Sequence, residues 1–211
     1  MFDLIQGTPE WLAARAGSLG ASSIADALAK TKTGWGASRA NLKARIATER
    51  LTGKPVETYS NSAMQRGNDL EPQARDFYSF HTGYDVAEVG IVLHPSIKHS
   101  HCSPDGLCGD DGMVEIKCCG AARHIELLDE GAAEDRYIKQ CFWQMACTGR
   151  RWVDLAYFHP DFPHEMQLVI HRIERDEAVI AALESDVSAF LNEVADTVAS
   201  LTTRYKMKEA A

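Results

Sequence analysis

The sequence has no apolar run near the roughly 18–20 residues that a membrane-spanning helix needs. Its opening residues, MFDLIQGTPEW, lack the basic segment followed by an apolar one that marks a secretory leader, so the expected compartment is the cytoplasm. No internal repeat or low-complexity tract occurs. Positive charge is scarce: 22 Lys and Arg against 30 Asp and Glu give a net charge of −8. That balance argues against a general nucleic-acid coat protein, whose affinity comes from many phosphate contacts, but not against an enzyme that gathers positive charge in one channel. None of the six cysteines forms a C-x2-C pair, which weakens a zinc reading of the HSHC stretch at 99–102. The adjacent Cys118 and Cys119 suit buried thiols better than a strained disulfide.

The 211 residues are 45% hydrophobic, enough to build a full core. Thr8-Pro9 starts a short helix through Arg15. Residues 21–30 read as a second helix, 31–38 as a Gly-rich loop and 38–52 as a third helix closed by Gly53-Lys54-Pro55. Leu70, Ala74, Phe77 and His81 fall at helical spacing within 62–81. Strands are expected at 85–93, 151–158 and 166–173, with a hairpin turning at GDDG, 109–112. Helices are expected at 120–129 and 134–148, and an amphipathic one at 174–205. The order implies an α/β (α+β) fold with a central mixed β-sheet flanked by helices. Trp11, Trp143 and Trp152 are expected in the core, whereas Trp35 sits in the Gly-rich loop beside lysines.

The hairpin SPDGLCGDDGMVEIKC, 103–118, carries Asp105, Glu115 and Lys117 where a buried strand would carry apolar residues. Glu115 and Lys117 share a face, while Val114, Ile116 and Cys118 share the other, expected to be the core face. If the turn counts five residues, Asp105 lies across from Glu115; a four-residue turn sets it opposite Ile116. With Glu71, three carboxylates and one lysine sum to about −2, a self-repelling cluster that suits a hard divalent cation with oxygen ligands. Magnesium or manganese fits better than zinc. A lone D-x9-E-x-K spacing equally suits surface charges on a hairpin.

SPDG followed by EIKC resembles the PD-(D/E)XK nuclease motif, and the likeness extends to the bacteriophage lambda exonuclease family of viral alkaline exonucleases. WLAARAGSLGASSIADALA (11–29), RGNDLEPQARDFYSFHTG (66–83), CSPDGLCGDDGMVEIKC (102–118) and YIKQCFWQMACTG (137–149) resemble its segments in order. The resemblance implies a restriction-endonuclease-like core in a single exonuclease domain, 1–211. Within it, helices 8–52 serve end binding, 60–175 the nuclease core and 174–205 the C-terminal helix. It implies that Asp105, Glu115, Glu71 and the carbonyl of Ile116 hold two Mg2+ ions, with Mn2+ as a substitute. Lys117 handles the attacking water, and Gln140 sits beside the reaction centre. Arg15 and Ser22 match the family's 5′-phosphate pair, and Met64 falls at its apolar wedge. Iron–sulfur relatives need cysteines flanking the core at both ends, and none lies before Cys102 or after Cys147.

The implied activity is 5′→3′ digestion of one strand of linear duplex DNA, releasing 5′-mononucleotides and leaving a 3′ single-stranded tail. The implied partners are duplex DNA ends, two further copies in a homotrimeric ring, and a single-strand annealing protein, in a bacterial cytoplasm with a phage or prophage source. Lys30, Lys32, Trp35, Arg39, Lys43, Arg45 and Arg50 are candidate DNA contacts, with the acidic C-terminal helix facing outward. The alternatives are a PD-(D/E)XK endonuclease of restriction or repair type and a catalytically inactive DNA-end-binding protein.

Overall fold

The computed structural model describes residues 4–57 and 61–205, the side chain of Glu130 apart. The chain opens with α1 (Pro9–Arg15), capped by the Thr8 side chain, which accepts from the Trp11 amide. A short strand β1 (Leu19–Gly20) leads into a 3-10 turn, Ala21–Ser23, and a single helical turn, α2 (Ile24–Ala27). The helix expected over 21–30 is thus cut short, because Lys30–Thr31 (β2) folds against Gly34–Trp35 (β3) as a two-stranded ribbon within the Gly-rich segment. Helices α3 (Ala37–Thr52) and α4 (Ser62–Thr82) end on Gly53 and Gly83, both left-handed.

The strand expected over 85–93 is two strands in different sheets. β4 (Val86–Ala87) pairs with β7 (Gly106–Cys108), whereas β5 (Val92–Leu93) pairs with β6 (Ser100–Cys102). The hairpin follows as β7 (Gly106–Cys108) and β8 (Gly112–Lys117), then α5 (Ala121–Glu130), α6 (Asp135–Thr148), β9 (Trp152–Phe158), β10 (Leu168–Glu174) and α7 (Glu177–Arg204). Asp176 caps α7 by accepting from the amides of Ala178 and Val179, so the last helix starts after β10 has used residue 174.

The central sheet is mixed, in the order β10-β9-β8-β7-β4, with β8 and β9 parallel and the other pairs antiparallel. A smaller sheet runs β1-β6-β5. The fold class is the expected one. Both faces of the central sheet are covered. Met113, Val153, Leu155 and Tyr157 pack with Trp143, Met145, Phe190 and other residues of α6 and α7. Val114, Ile116, Ala156 and Phe158 pack with Ala74 and Tyr78 of α4. Buried Asp154, in mid-strand, is satisfied by the Arg172 fork, 2.8 Å to each oxygen, and by the Tyr78 hydroxyl at 2.7 Å.

Two hairpin glycines set these contacts. A Cβ on Gly112 would lie 2.0 Å from Trp152 Cζ2, and one on Gly106 would lie 2.1 Å from Val86 Cγ1. Gly112→Ala is expected to lower stability by about 1–3 kcal/mol through overpacking. The check is chemical denaturation, where the midpoint should fall at constant slope; an unmoved midpoint would mean that the Trp152 ring yields freely.

Candidate active site

The hairpin register decides the first question. Gly106 pairs with Val114 and Cys108 with Gly112, leaving Gly109, Asp110 and Asp111 as the loop. This three-residue loop has the register of the five-residue count, and carried one residue past Gly106 it sets Asp105 across from Glu115. The odd loop is made possible by Gly109 at φ +53°. Asp105 lies just before β7, and its Oδ2 accepts from the Ile116 amide at 2.6 Å.

Glu115 is 2% exposed. Its Oε1 accepts from Gln140 Nε2 at 2.6 Å and from Lys117 Nζ, and its Oε2 accepts from Gln144 Nε2. The face expected to be an open reaction surface is therefore roofed by α6. Only the C-terminal end of β8 reaches solvent, and Lys117 keeps 21% of its side chain exposed. Glu71, from α4, accepts from Arg75 Nη2 at 2.6 Å, and Arg75 Nε in turn donates to the Asp105 carbonyl at 2.9 Å. Gln144 was not singled out in the sequence, although it lies one helical turn beyond Gln140.

Burial raises the Asp105 carboxyl well above the usual range, and the charges of Glu115 and Glu71 add to it. Burial likewise raises Glu71, against the pull of Arg75. Burial alone would pull the Lys117 ammonium down, but the Glu115 and Asp105 carboxylates outweigh it and hold the group above the ordinary lysine range. Lys117 is thus a fixed cation and not a free base.

The donor types fit a hard divalent cation: three carboxylates beside a strand carbonyl at Ile116, with negative charge held against desolvation. Among the described residues, however, no three His, Cys, Asp or Glu side chains converge on one point. The reason is visible in the contacts. Glu71 rests on Arg75, Asp105 on the Ile116 amide and Glu115 on two glutamines and a lysine, so closing on an ion requires these side chains to turn from protein donors.

A cleft of about 920 Å3 joins this cluster to a second one. Glu71, Asp105, Glu115, Ile116, Lys117 and Gln140 line it, and so do Arg15, Ser22 and Met64. Met64 is 53% exposed at its edge. Ser22 sits in the 3-10 turn and not at the start of a full helix, so its hydroxyl and not a helix terminus is the donor on offer. Burial, with Arg45 nearby, pulls the Arg15 guanidinium down to about 10, so it remains charged at neutral pH. Trp11 Nε1 and Ser103 Oγ line the same cleft as buried polar atoms without a partner, and Arg45 Nε is a further unpaired donor. Neighbouring cations and unpaired donors are the make-up of an anion pocket. Ser103 and Trp11 were missed as site residues; the serine of SPDG carried no signal beyond its place two residues before Asp105, and Trp11 read as core.

The basic patch divides. Lys30, Lys32 and Trp35 are exposed on the β2–β3 ribbon. Arg39 does not line an open channel. It is 4% exposed, donates to the Ala27 carbonyl at 3.1 Å, pairs with Glu193 at 2.7 Å and stacks on Trp35 at 3.9 Å. Lys43 also faces Glu193, at 3.7 Å. The acidic helix α7 therefore turns this carboxylate toward α3, because an arginine buried beside Phe190 needs a counter-charge. Arg45 lies by Arg15 and His101, whose charge states it influences, and Arg50 donates to the Gly17 carbonyl at 2.8 Å.

The model of the YqaJ-like viral recombinase domain matches residues 10–151. Among solved structures, an alkaline exonuclease from Laribacter hongkongensis, LHK-Exo, is 45% identical over 94% of this chain and 98% of its own, with a TM-score of 0.88. The same exonuclease in complex with dAMP matches at 46% identity, with the same coverage and TM-score. A phage-related exonuclease from Haemophilus somnus has a TM-score of 0.71 at 15% identity, over 87% of this chain and 96% of its own, a likeness of fold. No curated protein sequence matches. The chain belongs to the YqaJ-like viral recombinase family, the lambda-exonuclease-like group.

Two expectations test these assignments. Asp105→Asn keeps the acceptor for the Ile116 amide but removes a repelled charge, so in chelator the variant should melt about 2–4 °C higher, the shift of roughly 1 kcal/mol in a chain of this size. A lower Tm would show that the carboxylate is not repelled there. Arg39→Ala should cost about 1–3 kcal/mol in denaturant and leave the salt slope of DNA binding as it is, whereas Lys32→Ala lowers that slope by about 1. A reduced slope in Arg39→Ala would return that residue to the DNA contacts.

Proposed function

We propose that this chain is a Mg2+-dependent exonuclease that degrades one strand of linear duplex DNA from a 5′-phosphorylated end, in the 5′→3′ direction. It releases 5′-mononucleotides and leaves a 3′ single-stranded tail. The DNA exonuclease class follows from the family. The polarity and the cofactor rest on one observation: a single cleft contains both the carboxylate–lysine cluster and the Arg15 pocket. A strand whose 5′-phosphate is held by Arg15 and the Ser22 and Ser103 hydroxyls presents a following phosphodiester to the cluster, so cutting proceeds from that end. LHK-Exo is known in complex with dAMP, a 5′-mononucleotide, which is consistent with such a product.

Each residue has a task that its chemistry supports. Asp105, Glu115, the Ile116 carbonyl and Glu71 are the groups that would hold two Mg2+ ions, with Mn2+ as a substitute. When bound, such ions supply the charge that makes water nucleophilic near neutral pH and that stabilises the leaving 3′-oxygen. Lys117, kept cationic by its carboxylate neighbours, orients the water and offsets charge on the phosphoryl oxygens. Gln140, with Gln144, fixes the Glu115 carboxylate. Arg15 supplies a fork for two phosphate oxygens. Met64, apolar and exposed at the cleft edge, is suited to wedge between terminal bases. Lys30, Lys32, Trp35 and Arg45 are the remaining candidates for contact with the duplex.

The proposed working unit is a homotrimeric ring enclosing DNA, feeding its single-stranded product to an annealing protein. Within each chain, 8–52 serves end binding, 60–175 forms the nuclease core and 174–205 buttresses it; the boundary at residue 60 lies outside the described residues. No helix among the described residues is long and apolar enough to cross a membrane, and action in the cytoplasm of a bacterial host fits a DNA substrate.

The decisive assay uses linear duplexes with and without 5′-phosphates, and closed circles, each with Mg2+. Digestion of phosphorylated linear DNA with intact circles is expected. Cut circles would favour the endonuclease, and binding without cutting the inactive end-binder. Lys117→Ala should lower turnover by at least about 100-fold while DNA binding persists; near-normal turnover would remove its assigned role. Arg15→Ala should erase the preference for phosphorylated ends, and a preserved preference would overturn the 5′-end pocket.

A further inference from the structure

Arg15 is gripped on its Nε edge by a residue outside the functions described so far. Its Nε donates to His101 Nε2 at 2.9 Å. A guanidinium N–H can only donate, so the Nε2 lone pair must accept. The imidazole proton is then on Nδ1, which lies 2.9 Å from Ser18 Oγ and donates to it. His101 is 2% exposed. The Trp11 ring covers one face of the guanidinium, 3.8 Å from Cζ. With one edge and one face taken, the two amino ends of Arg15 are left to the cleft.

The backbone is shaped around this pair. Gly20 and His101 are partners in the parallel β1–β6 ladder. A Cβ on Gly20 would lie 3.0 Å from His101 Nε2 and 3.2 Å from Arg15 Nη2, so the strand approaches this closely because residue 20 has no side chain. The acid that most influences Arg15, Glu49, directs its carboxylate to the Gly17 and Val56 amides, at 2.8 and 3.2 Å.

We propose that His101 is the positioning residue of the 5′-end pocket: a neutral acceptor that fixes the guanidinium of Arg15 end-on for a terminal phosphate without cancelling its charge. The inference rests on the 5′-end reading above. A carboxylate in this place would hold Arg15 equally well but would neutralise it, and a dianionic monoester would then lose its main attraction. An imidazole provides the lone pair alone. Burial, with the charges of Arg15 and Arg45, pulls His101 down to about 3, so it stays an acceptor through the neutral and alkaline range. An end-on fork also suits a phosphate monoester, which offers several non-bridging oxygens, over a 5′-hydroxyl end, which offers none.

The test is the ratio of kcat/KM on 5′-phosphorylated over 5′-hydroxyl linear duplexes, with Mg2+, alongside Tm. His101→Ala should lower that ratio on the order of tenfold, mostly through KM, the loss of one hydrogen bond to a charged group. His101→Gln, which keeps a neutral acceptor, should recover most of it. His101→Glu keeps an acceptor but adds charge, and should lose the preference. In an Arg15→Ala background, His101→Ala should have no further effect on the ratio. An intact ratio in His101→Ala, or an equal drop in the Arg15→Ala background, would reduce His101 to packing and overturn the proposal. If His101→Ala does not fold, equal ratios for the Gln and Glu variants overturn it instead. An unchanged ratio in Arg15→Ala overturns the pocket itself, which separates that failure from the failure of His101.

Discussion

The Glu115 carboxylate is the point from which the site is built. It is 2% exposed in the middle strand of a five-stranded sheet and spends all its contacts on Lys117, Gln140 and Gln144. A charge so placed is costly unless it is paired and hydrogen-bonded. That requirement fixes α6 against the sheet, holds Lys117 as a cation and leaves Asp105 and Glu71 raised beside it. The site therefore stores repulsion that a bound cation can relieve, a common cost of an active centre.

The second cluster follows the opposite electrostatic rule. Around Arg15 the acid that acts on it, Glu49, spends its carboxylate on the Gly17 and Val56 amides, and the acceptor that grips the guanidinium is an imidazole. The two clusters share a cleft, one rich in carboxylates and the other in cationic and unpaired donors. This arrangement also resolves the overall charge of −8. A chain can be acidic in sum and still offer DNA a local positive surface, because screening leaves the distant carboxylates of α7 with little effect there.

Much of this was legible in the residues. The spacing of Asp105, Glu115 and Lys117 marked the cluster but left two turn lengths open; the odd loop chose the register, and strand alternation then sets the carboxylates across from each other. Helices α3, α4 and α6 followed from periodicity and glycine stops, and α7 from its apolar stripe. The short elements did not. Residues 21–35 became a 3-10 turn, one helical turn and a ribbon, and 85–93 became two strands, because partners remote in sequence decided where pairing broke. Arg39 looked like any solvated arginine on a helix, and its burial against Glu193 spans 154 residues of sequence that periodicity cannot see.

The sequence by itself determined the chemistry on offer: three carboxylates and a lysine in a hairpin context, an arginine and a serine upstream, and the family those segments resemble. Only the tertiary structure decided the surroundings of each group. It roofed Glu115 with α6, turned Arg39 inward, left Ser103 and Trp11 Nε1 without partners, and set a neutral histidine behind Arg15. The physical reason is that charge state and orientation depend on burial and on neighbours a few ångströms away, and those neighbours come from segments up to 154 residues apart.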